Sequence, residues 1–274
     1  MRANKRLGQH FLADPAILNW IADALDPAPG ETVIEIGSGR GSLTEVLLAR
    51  GLRVIAIEKD RRLAADLRES GVGSQEWGSF TVVEGDALRV DWHELVRAAP
   101  TPDSRFPTPF KVAGNIPYNI TSPLLEKALT PPLPERIVFL VQDEVAQRAA
   151  AAPGSRTYGG LSVGVQAVCR VERLFIVAPG AFRPAPKVRS ALVRLTPHAE
   201  ALVRSDEVVP FRRFVTACFG RRRKQLRNVV AGVTARPAAE VARALLAMGL
   251  DPAARPETLA PRDFVRLLRW SREL

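Results

Sequence analysis

Cysteine and histidine are scarce in this 274-residue chain, which contains two cysteines and three histidines. Cys169 and Cys218 are far apart and match no metal-ligand spacing, so we expect no metal site. No apolar run approaches the length of a membrane-spanning helix, and the amino-terminal segment lacks the continuous apolar core of a secretion signal. These absences predict a protein of the reducing cytoplasm that does not bind a membrane.

Lysine is scarce as well, because only six of the 39 basic residues are lysines and the rest are arginines. The formal net charge is +10 and the isoelectric point is near 10.5, which predicts a polyanionic partner, nucleic acid before membrane. A skew toward arginine is also typical of a GC-rich genome. Arginine nevertheless suits phosphate, since its planar guanidinium donates two hydrogen bonds at once.

Strand-like and helix-like patterns alternate along the first two thirds of the chain. Asp14 and Pro15 are a cap and a first residue for a helix. The segment 178–190 is short and rich in proline, so we expect the two strands that flank it to be antiparallel. The alternation predicts an α/β fold with a mostly parallel seven-stranded sheet wound on both faces. The predicted strands are 32–36, 53–57, 80–83, 110–113, 137–141, 171–177 and 191–195.

The strand signals stop after Pro197. Only helical patterns follow, over 210–230, 237–249 and 261–272. Before that point, the composition of 149–160 is typical of a loop. We therefore predict two domains, an α/β domain over 1–197 and a small all-helical domain over 198–274.

A glycine-rich turn follows the first predicted strand. It contains Gly37, Gly39 and Gly41, and Glu58 ends the next strand. Glycines let backbone amides approach a nucleotide, and a carboxylate at the next strand end can accept both hydroxyls of a ribose. The dinucleotide fingerprint has its third glycine where Ser42 stands here. The spacing therefore favours S-adenosylmethionine over NAD, with an ordinary tight turn as the remaining alternative.

Asp86, in the sequence Gly85-Asp86-Ala87, ends the third predicted strand. Ligands of such sheets bind at the carboxyl ends of the strands, so this carboxylate is placed to accept a hydrogen bond from a cofactor adenine amine. Taken alone, an aspartate at this point is as well explained as a helix cap or turn residue. Its position after the strand that carries Glu58 favours the cofactor interpretation.

The fourth predicted strand ends in Asn115-Ile116-Pro117-Tyr118. An aromatic amine is a poor nucleophile because its lone pair is delocalised into the ring. The Asn115 side-chain oxygen and the Ile116 carbonyl are two acceptors for the amine hydrogens, and Pro117 shapes the turn. Tyr118 can stack on an adenine, a contact worth about 1–3 kcal/mol. The motif indicates methylation of an exocyclic amine; a proline turn with a capping Asn is the structural alternative.

On these motifs the chain resembles the bacterial 16S rRNA adenine dimethyltransferases over nearly its whole length. Two departures are Ser38, where the family usually has proline, and Ile116, where leucine is common and isoleucine also occurs in the 23S rRNA methyltransferases of macrolide resistance. The further matching segments are Lys5–Leu12, Ala152–Gly159, Pro179–Val188 and Arg222–Asn228. The loop around Pro153–Gly159 and the segment Arg222–Asn228 favour the 16S branch.

The resemblance implies a Rossmann-like methyltransferase domain that uses S-adenosylmethionine and no metal. It implies dimethylation of N6 of two adjacent adenosines in the 3′-terminal hairpin loop of 16S rRNA, within the small ribosomal subunit or its precursor, by a monomer. The implied cofactor contacts are His10, Leu12, Gly37, Gly39, Glu58, Asp86, Ala87 and Asn115. The implied catalytic residues are Asn115, Ile116, Pro117, Tyr118 and Phe182, with Phe182 facing Tyr118 across a flipped adenine. The alternatives are a 23S rRNA methyltransferase and a mainly non-catalytic ribosome-assembly factor.

The predicted helical domain carries a basic cluster. Between Phe211 and Arg227 there are seven basic residues and no acidic one. Phe211, Phe214 and Val215 supply a helical core face, so the arginines project from an anchored support. We expect phosphate contacts here, although a solvated face is the usual role of a charge run. The predicted RNA-binding residues are Arg221, Arg222, Arg223, Lys224 and Arg227.

Overall fold

The computed structural model describes residues 7–70, 79–99 and 109–273. The chain forms two compact units, one of residues up to Ala146 with Val171–Pro197 and one of Gln147–Arg170 with His198–Leu274. One boundary between the units follows Pro197, and 147–170 groups with the second unit. Hydrogen bonds join this segment to the rest of that unit: the Tyr158 hydroxyl donates to the Leu259 carbonyl at 2.8 Å, and the Gly154 amide donates to the Glu257 carbonyl at 2.7 Å.

A seven-stranded sheet forms the centre of the first unit. Its order is β4-β3-β2-β5-β6-β9-β7, in which β2 to β6 are parallel and β9 is antiparallel to β6. These strands are β2 (Thr32–Ile36), β3 (Arg53–Glu58), β4 (Phe80–Glu84), β5 (Phe110–Asn115), β6 (Arg136–Gln142), β7 (Cys169–Val177) and β9 (Ser190–Pro197). The mostly parallel seven-stranded sheet is thus confirmed, and β7 and β9 are neighbours in it.

Helices connect the parallel strands. Every residue of β2 is buried, as expected for a central parallel strand covered on both faces. Asp14 caps the first helix by accepting hydrogen bonds from the amides of Ala16 and Ile17, and Pro15 is its first residue, as predicted. The helices are α1 (Pro15–Ala24), α2 (Ser42–Leu48), α3 (Arg61–Glu69), α4 (Trp92–Ala98), α5 (Thr121–Ala128) and α6 (Asp143–Ala149).

A small second sheet was not predicted from the sequence. The strands β1 (Phe11–Leu12) and β8 (Phe182–Arg183) pair in antiparallel orientation, with Leu12 opposite Phe182. Each has only two residues, too few for a periodic pattern. Both side chains of that pair are buried in the core of the first unit. The pair therefore anchors the amino-terminal segment to the chain between Pro179 and Ser190.

Helices make up the second unit. They are α7 (Gly160–Gln166), α8 (Val208–Phe219), α9 (Leu226–Thr234), α10 (Ala238–Ala247) and α11 (Pro261–Ser271), around a core that contains Phe211, Phe214 and Phe264. The predicted helical stretch 210–230 is two helices, because α8 ends at Phe219 and Gly220 begins a turn. The turn between α8 and α9 therefore holds four of the predicted RNA-binding residues: Arg221, Arg222, Arg223 and Lys224.

Candidate methyl-transfer site

A cleft opens at the carboxyl ends of the parallel strands in the first unit. Its walls come from the loops after β2, β3, β4 and β5 and from residues 7–11. This is the edge at which doubly wound sheets bind their ligands. The predicted site residues that line it are His10, Gly37, Gly39, Glu58, Asp86, Ala87, Asn115, Ile116, Pro117 and Tyr118. Four separate motifs of the sequence are therefore brought to one cleft.

The glycine-rich loop presents its backbone to this cleft. Gly37, Gly39 and Gly41 all have positive φ, between 58° and 86°, a conformation that favours glycine. A Cβ on Gly39 would also lie 3.1 Å from the Phe11 ring. The loop and the amino-terminal segment thus touch, and a larger residue at position 39 would separate them.

Glu58 is buried and fixed by the backbone. One carboxylate oxygen accepts the Gly39 amide and the other accepts the Asp60 amide, each at 2.8 Å. Burial raises the pKa of Glu58 above its ordinary value, and these two hydrogen bonds oppose the rise. Each oxygen keeps a second lone pair, so a held carboxylate that lines the cleft can accept two hydroxyl groups.

Asp86 is held differently, by a side chain that the sequence analysis did not single out. The Lys59 ammonium lies 2.8 Å from Oδ2 of Asp86, and the Leu88 amide donates to Oδ1 at 3.0 Å. The hydrogen bond from Lys59 lowers the pKa of Asp86 below its ordinary value. Lys59 also lines the cleft. Lys59 directly follows Glu58 at the end of β3, and this position was the feature of the sequence that could have identified it.

Glu35 is fully buried beneath the glycine-rich loop. The Thr44 hydroxyl donates to its carboxylate at 2.5 Å. Burial raises the pKa of Glu35 to about 7, and the Thr44 hydrogen bond opposes that rise. Glu35 lines a second small cavity that also borders Leu12, Gly37 and Asn115. Leu12 therefore lies beside the glycine-rich loop, next to this second cavity.

The amide of Asn115 has one defined orientation. Its Nδ2 donates to the His10 carbonyl at 2.7 Å. A carbonyl can only accept, so the nitrogen must face His10 and Oδ1 is the end available as an acceptor. Asn115 lines the cleft, and the amide of Ile116 donates to the Leu140 carbonyl at 3.0 Å, which ties the turn to β6.

Tyr118 is half-buried on the short 3₁₀ turn Tyr118–Ile120. Its ring stacks on the His10 ring with centroids 5.8 Å apart and an interplanar angle of 25°. Its hydroxyl forms a 2.7 Å hydrogen bond with Oγ of Ser190, and burial raises the pKa of Tyr118. Nδ1 of His10 lies 2.8 Å from the Pro184 carbonyl, so His10 bridges the turn and the chain after β8.

Phe182 is placed differently from its expected role opposite Tyr118. The structure buries it completely, in the core of the first unit beside Leu12, and it does not line the cleft. Its position in β8, paired with β1, directs the ring into that core. In this structure Phe182 is a core residue, and a stacking role requires it to move.

The predicted RNA-binding residues of the second unit have exposed side chains. Arg221, Arg222, Arg223 and Lys224 occupy the turn after α8, and Arg227 lies in the first turn of α9. Cations are favourable at the carboxyl end of a helix such as α8. Within the described part of the chain, none of these five forms a salt bridge. Arg2, Lys5 and Arg6, further basic candidates, lie outside the described residues.

The described ranges contain no group of three or more His, Cys, Asp or Glu residues that could hold a metal ion. They also contain no helix long and apolar enough to cross a membrane. The two cysteines are buried, and burial raises the pKa of each thiol to about 12.

Comparison with known proteins gives a consistent result. The family model described as ribosomal RNA adenine dimethylase matches residues 1–271. Proteins named ribosomal RNA small subunit methyltransferase A are similar: that of Hahella chejuensis is 40% identical over 97% of this chain and 92% of its own length. That of Xanthomonas campestris pv. campestris (strain B100) is 42% identical over 97% and 95%.

Two solved structures share the fold over almost the whole chain. A dimethyladenosine transferase from Plasmodium falciparum has a TM-score of 0.78 and 28% identity, covering 95% of this chain and 97% of its own. The 23S rRNA methyltransferase ErmE has a TM-score of 0.69 and 29% identity, covering 94% and 98%. The Rossmann-like methyltransferase fold with a helical carboxyl-terminal part is thus confirmed.

Proposed function

The chain belongs to the ribosomal RNA adenine dimethylase family, and from that we propose that it uses S-adenosylmethionine to dimethylate adenine N6 in the RNA of the small ribosomal subunit. The observation that carries the proposal is the fixed amide of Asn115 beside Tyr118 in the cleft. An oriented acceptor next to an aromatic ring suits an exocyclic amine on a flat base.

The chain's own residues fit the cofactor. Glu58 is a buried carboxylate whose two oxygens retain acceptor capacity for ribose hydroxyls, and Asp86 offers a carboxylate on the next strand end. Gly37 and Gly39 line the cleft without a side chain, so the cofactor can approach the backbone closely there. When bound, S-adenosylmethionine supplies the electrophilic methyl group. The proposed contacts of the cofactor are His10, Leu12, Gly37, Gly39, Glu58, Asp86, Ala87 and Asn115.

Asn115 and Tyr118 prepare the amine for transfer. Oδ1 of Asn115 accepts one amine hydrogen and the Ile116 carbonyl accepts the other, which draws the nitrogen lone pair out of conjugation with the ring. Tyr118 stacks on the base after the base has been flipped out of its stack. The methyl-bearing amine loses its proton after transfer, so no dedicated general base is required. Orientation and electrostatics supply most of the rate.

The basic turn of the second unit is the proposed RNA contact. Exposed guanidinium groups without acidic partners can donate to phosphates, which position an RNA without reading its sequence. Target choice then depends on the shape of the RNA and on the flipped base. We assign this role to Arg221, Arg222, Arg223, Lys224 and Arg227. Two adjacent adenosines in the 3′-terminal hairpin loop of 16S rRNA are the proposed target, and the active form is a monomer in the cytoplasm.

The test is methylation by the purified chain. Labelled S-adenosylmethionine is incubated with small-subunit particles that lack the modification, and N6,N6-dimethyladenosine is measured in the digested RNA. Undermethylated 23S rRNA is the parallel substrate, because ErmE has a similar structure. Label at the paired adenosines of 16S rRNA supports the proposal. Label in 23S rRNA, or particle binding without any label, supports instead the 23S enzyme or the assembly factor.

A further inference from the structure

We propose that Ser190 is a positioning residue for the target base: its hydroxyl holds the ring of Tyr118 in place, so the ring is already positioned when adenine arrives. The proposal rests on the proposed function, because Tyr118 is the stacking residue there. It adds a residue outside the cleft to the machinery of base recognition. Ser190 is fully buried and does not line the cleft, so it acts through Tyr118.

The topology brings Ser190 to the right edge of the sheet. It is the first residue of β9, and it pairs with Gln142, the last residue of β6. Because β6 is parallel to β5, the end of β6 lies beside the end of β5, where Asn115 leads into the turn with Tyr118. The 2.7 Å bond therefore joins two residues that are 72 positions apart in the chain.

The bond constrains the ring at its far end. The backbone of Tyr118 is held by its 3₁₀ turn, in which the Ile120 amide donates to the Pro117 carbonyl at 3.1 Å. The side chain has two rotatable bonds. The hydroxyl anchor restrains rotation about the Cα–Cβ bond and so fixes where the ring lies. The hydroxyl lies on the axis of the Cβ–Cγ bond, and rotation about that bond is restrained by the stacking of the ring on His10. Holding the ring before the base arrives removes part of the ordering cost of stacking.

The identity of the residue supports a role for the hydroxyl. A fully buried hydroxyl costs free energy unless it is hydrogen-bonded. Alanine would fill this strand position without any such requirement. The only hydrogen bond recorded for the Ser190 side chain within the described residues is that to Tyr118.

The experiment is a double-mutant cycle that removes the bond from either side. Ser190→Ala deletes one hydroxyl, and Tyr118→Phe deletes the other while keeping the ring. We expect each variant to lose about three- to tenfold in kcat/KM for the small-subunit particle, the range for one hydrogen bond between uncharged groups. The double variant should lose no more than either single variant, and the Kd for S-adenosylmethionine should not change. Additive losses, or a normal rate for either single variant, would overturn the proposal.

A spectroscopic readout keeps this test separate from that of the proposed function. The chain has two tyrosines, so labelling with [¹³Cζ]tyrosine gives two signals. Ser190→Ala should shift the signal of Tyr118 and leave that of Tyr158, whose hydroxyl donates to Leu259. If wild type is inactive while the signal shifts, the proposed function fails and the anchoring of the ring stands. An unshifted signal refutes the anchoring itself.

Ser162 supplies the matched control for loss of a buried hydroxyl. It is fully buried in the second unit, and its hydroxyl donates to the Arg148 carbonyl and accepts from the Gly159 amide. Ser162→Ala should lower the stability of the protein through the loss of these two hydrogen bonds, without coupling to Tyr118→Phe. Equal coupling of both serine variants to Tyr118→Phe would show a general effect of stability and contradict a specific role for Ser190.

Discussion

Gly232→Ala should make the second unit more stable and weaken its binding to RNA. Gly232 is an exposed residue inside α9, and a Cβ built on it would lie 1.7 Å from Nη1 of Arg221. The guanidinium therefore occupies the space that a methyl group needs. Glycine inside a helix costs about 0.5–1 kcal/mol relative to alanine. Its presence here leaves room for Arg221 to lie across the helix.

The two expected effects have opposite signs. Arg221 forms no salt bridge within the described residues, and the clashing atom is the far end of a flexible side chain, so its displacement is cheap. We expect a net gain of about 0.5–1 kcal/mol, or a rise in Tm of about 1–4 °C. Displaced Arg221 should lose the phosphate contact proposed for it, which flattens the log–log salt dependence of particle binding by roughly 0.7–0.9.

The assay is affinity for small-subunit particles across a salt series, together with thermal unfolding. Gly164→Ala is the matched control, since Gly164 lies within α7 and a Cβ there meets no atom within 4 Å. The Gly164→Ala protein should be more stable than wild type, with an unchanged slope of log affinity against log salt concentration. A variant with Arg221, Arg222, Arg223 and Lys224 all replaced by alanine sets the maximum loss of slope. A stabilised Gly232→Ala protein with the wild-type slope would refute the reasoning.

Three further predictions concern single side chains. Asn115→Ala should keep the fold and RNA binding but lower the single-turnover rate by at least about two orders of magnitude, the scale of one preorganised polar contact; a near-normal rate would exclude its assigned role. Glu58→Ala should weaken cofactor binding by ~1.5–3 kcal/mol in calorimetry, and unchanged affinity would exclude the ribose contact. Arg269 lowers the pKa of Glu207 to about 2. The stability from Glu207 is therefore present above about pH 4.5 and lost as pH falls toward 2, so Glu207→Gln should cost about 1–3 kcal/mol at neutral pH and flatten that acid dependence in unfolding titrations.

Short apolar runs, with apolar residues at helical spacing between them, predicted the sheet well. The predicted strand 32–36 is β2 (Thr32–Ile36), and 171–177 lies within β7 (Cys169–Val177). Long buried strands and capped helices carry strong local signals, as at Asp14. The pair β1 and β8 carries none, because two residues have no period and their pairing joins positions 170 residues apart.

The site was predictable where a motif ends a strand. Gly37, Glu58, Asp86 and Asn115 reach the cleft for that reason. The motif alone predicted the wrong place for Phe182. Its burial depends on the pairing of β8 with β1 and not on the residues next to it in the sequence. Ser190 gave no local signal at all, because its function is defined by a side chain from another part of the chain.

Long-range hydrogen bonds hold the two side chains that are proposed to prepare the amine. The carbonyl of His10 orients the amide of Asn115, and the hydroxyl of Ser190 fixes the position of the Tyr118 ring. His10 directly precedes β1, so the pairing of β1 with β8 helps to hold its carbonyl beside Asn115. The ends of the parallel strands do not by themselves orient the Asn115 amide or hold the Tyr118 ring. Loss of the β1–β8 pairing should therefore impair methyl transfer even where the parallel sheet is intact.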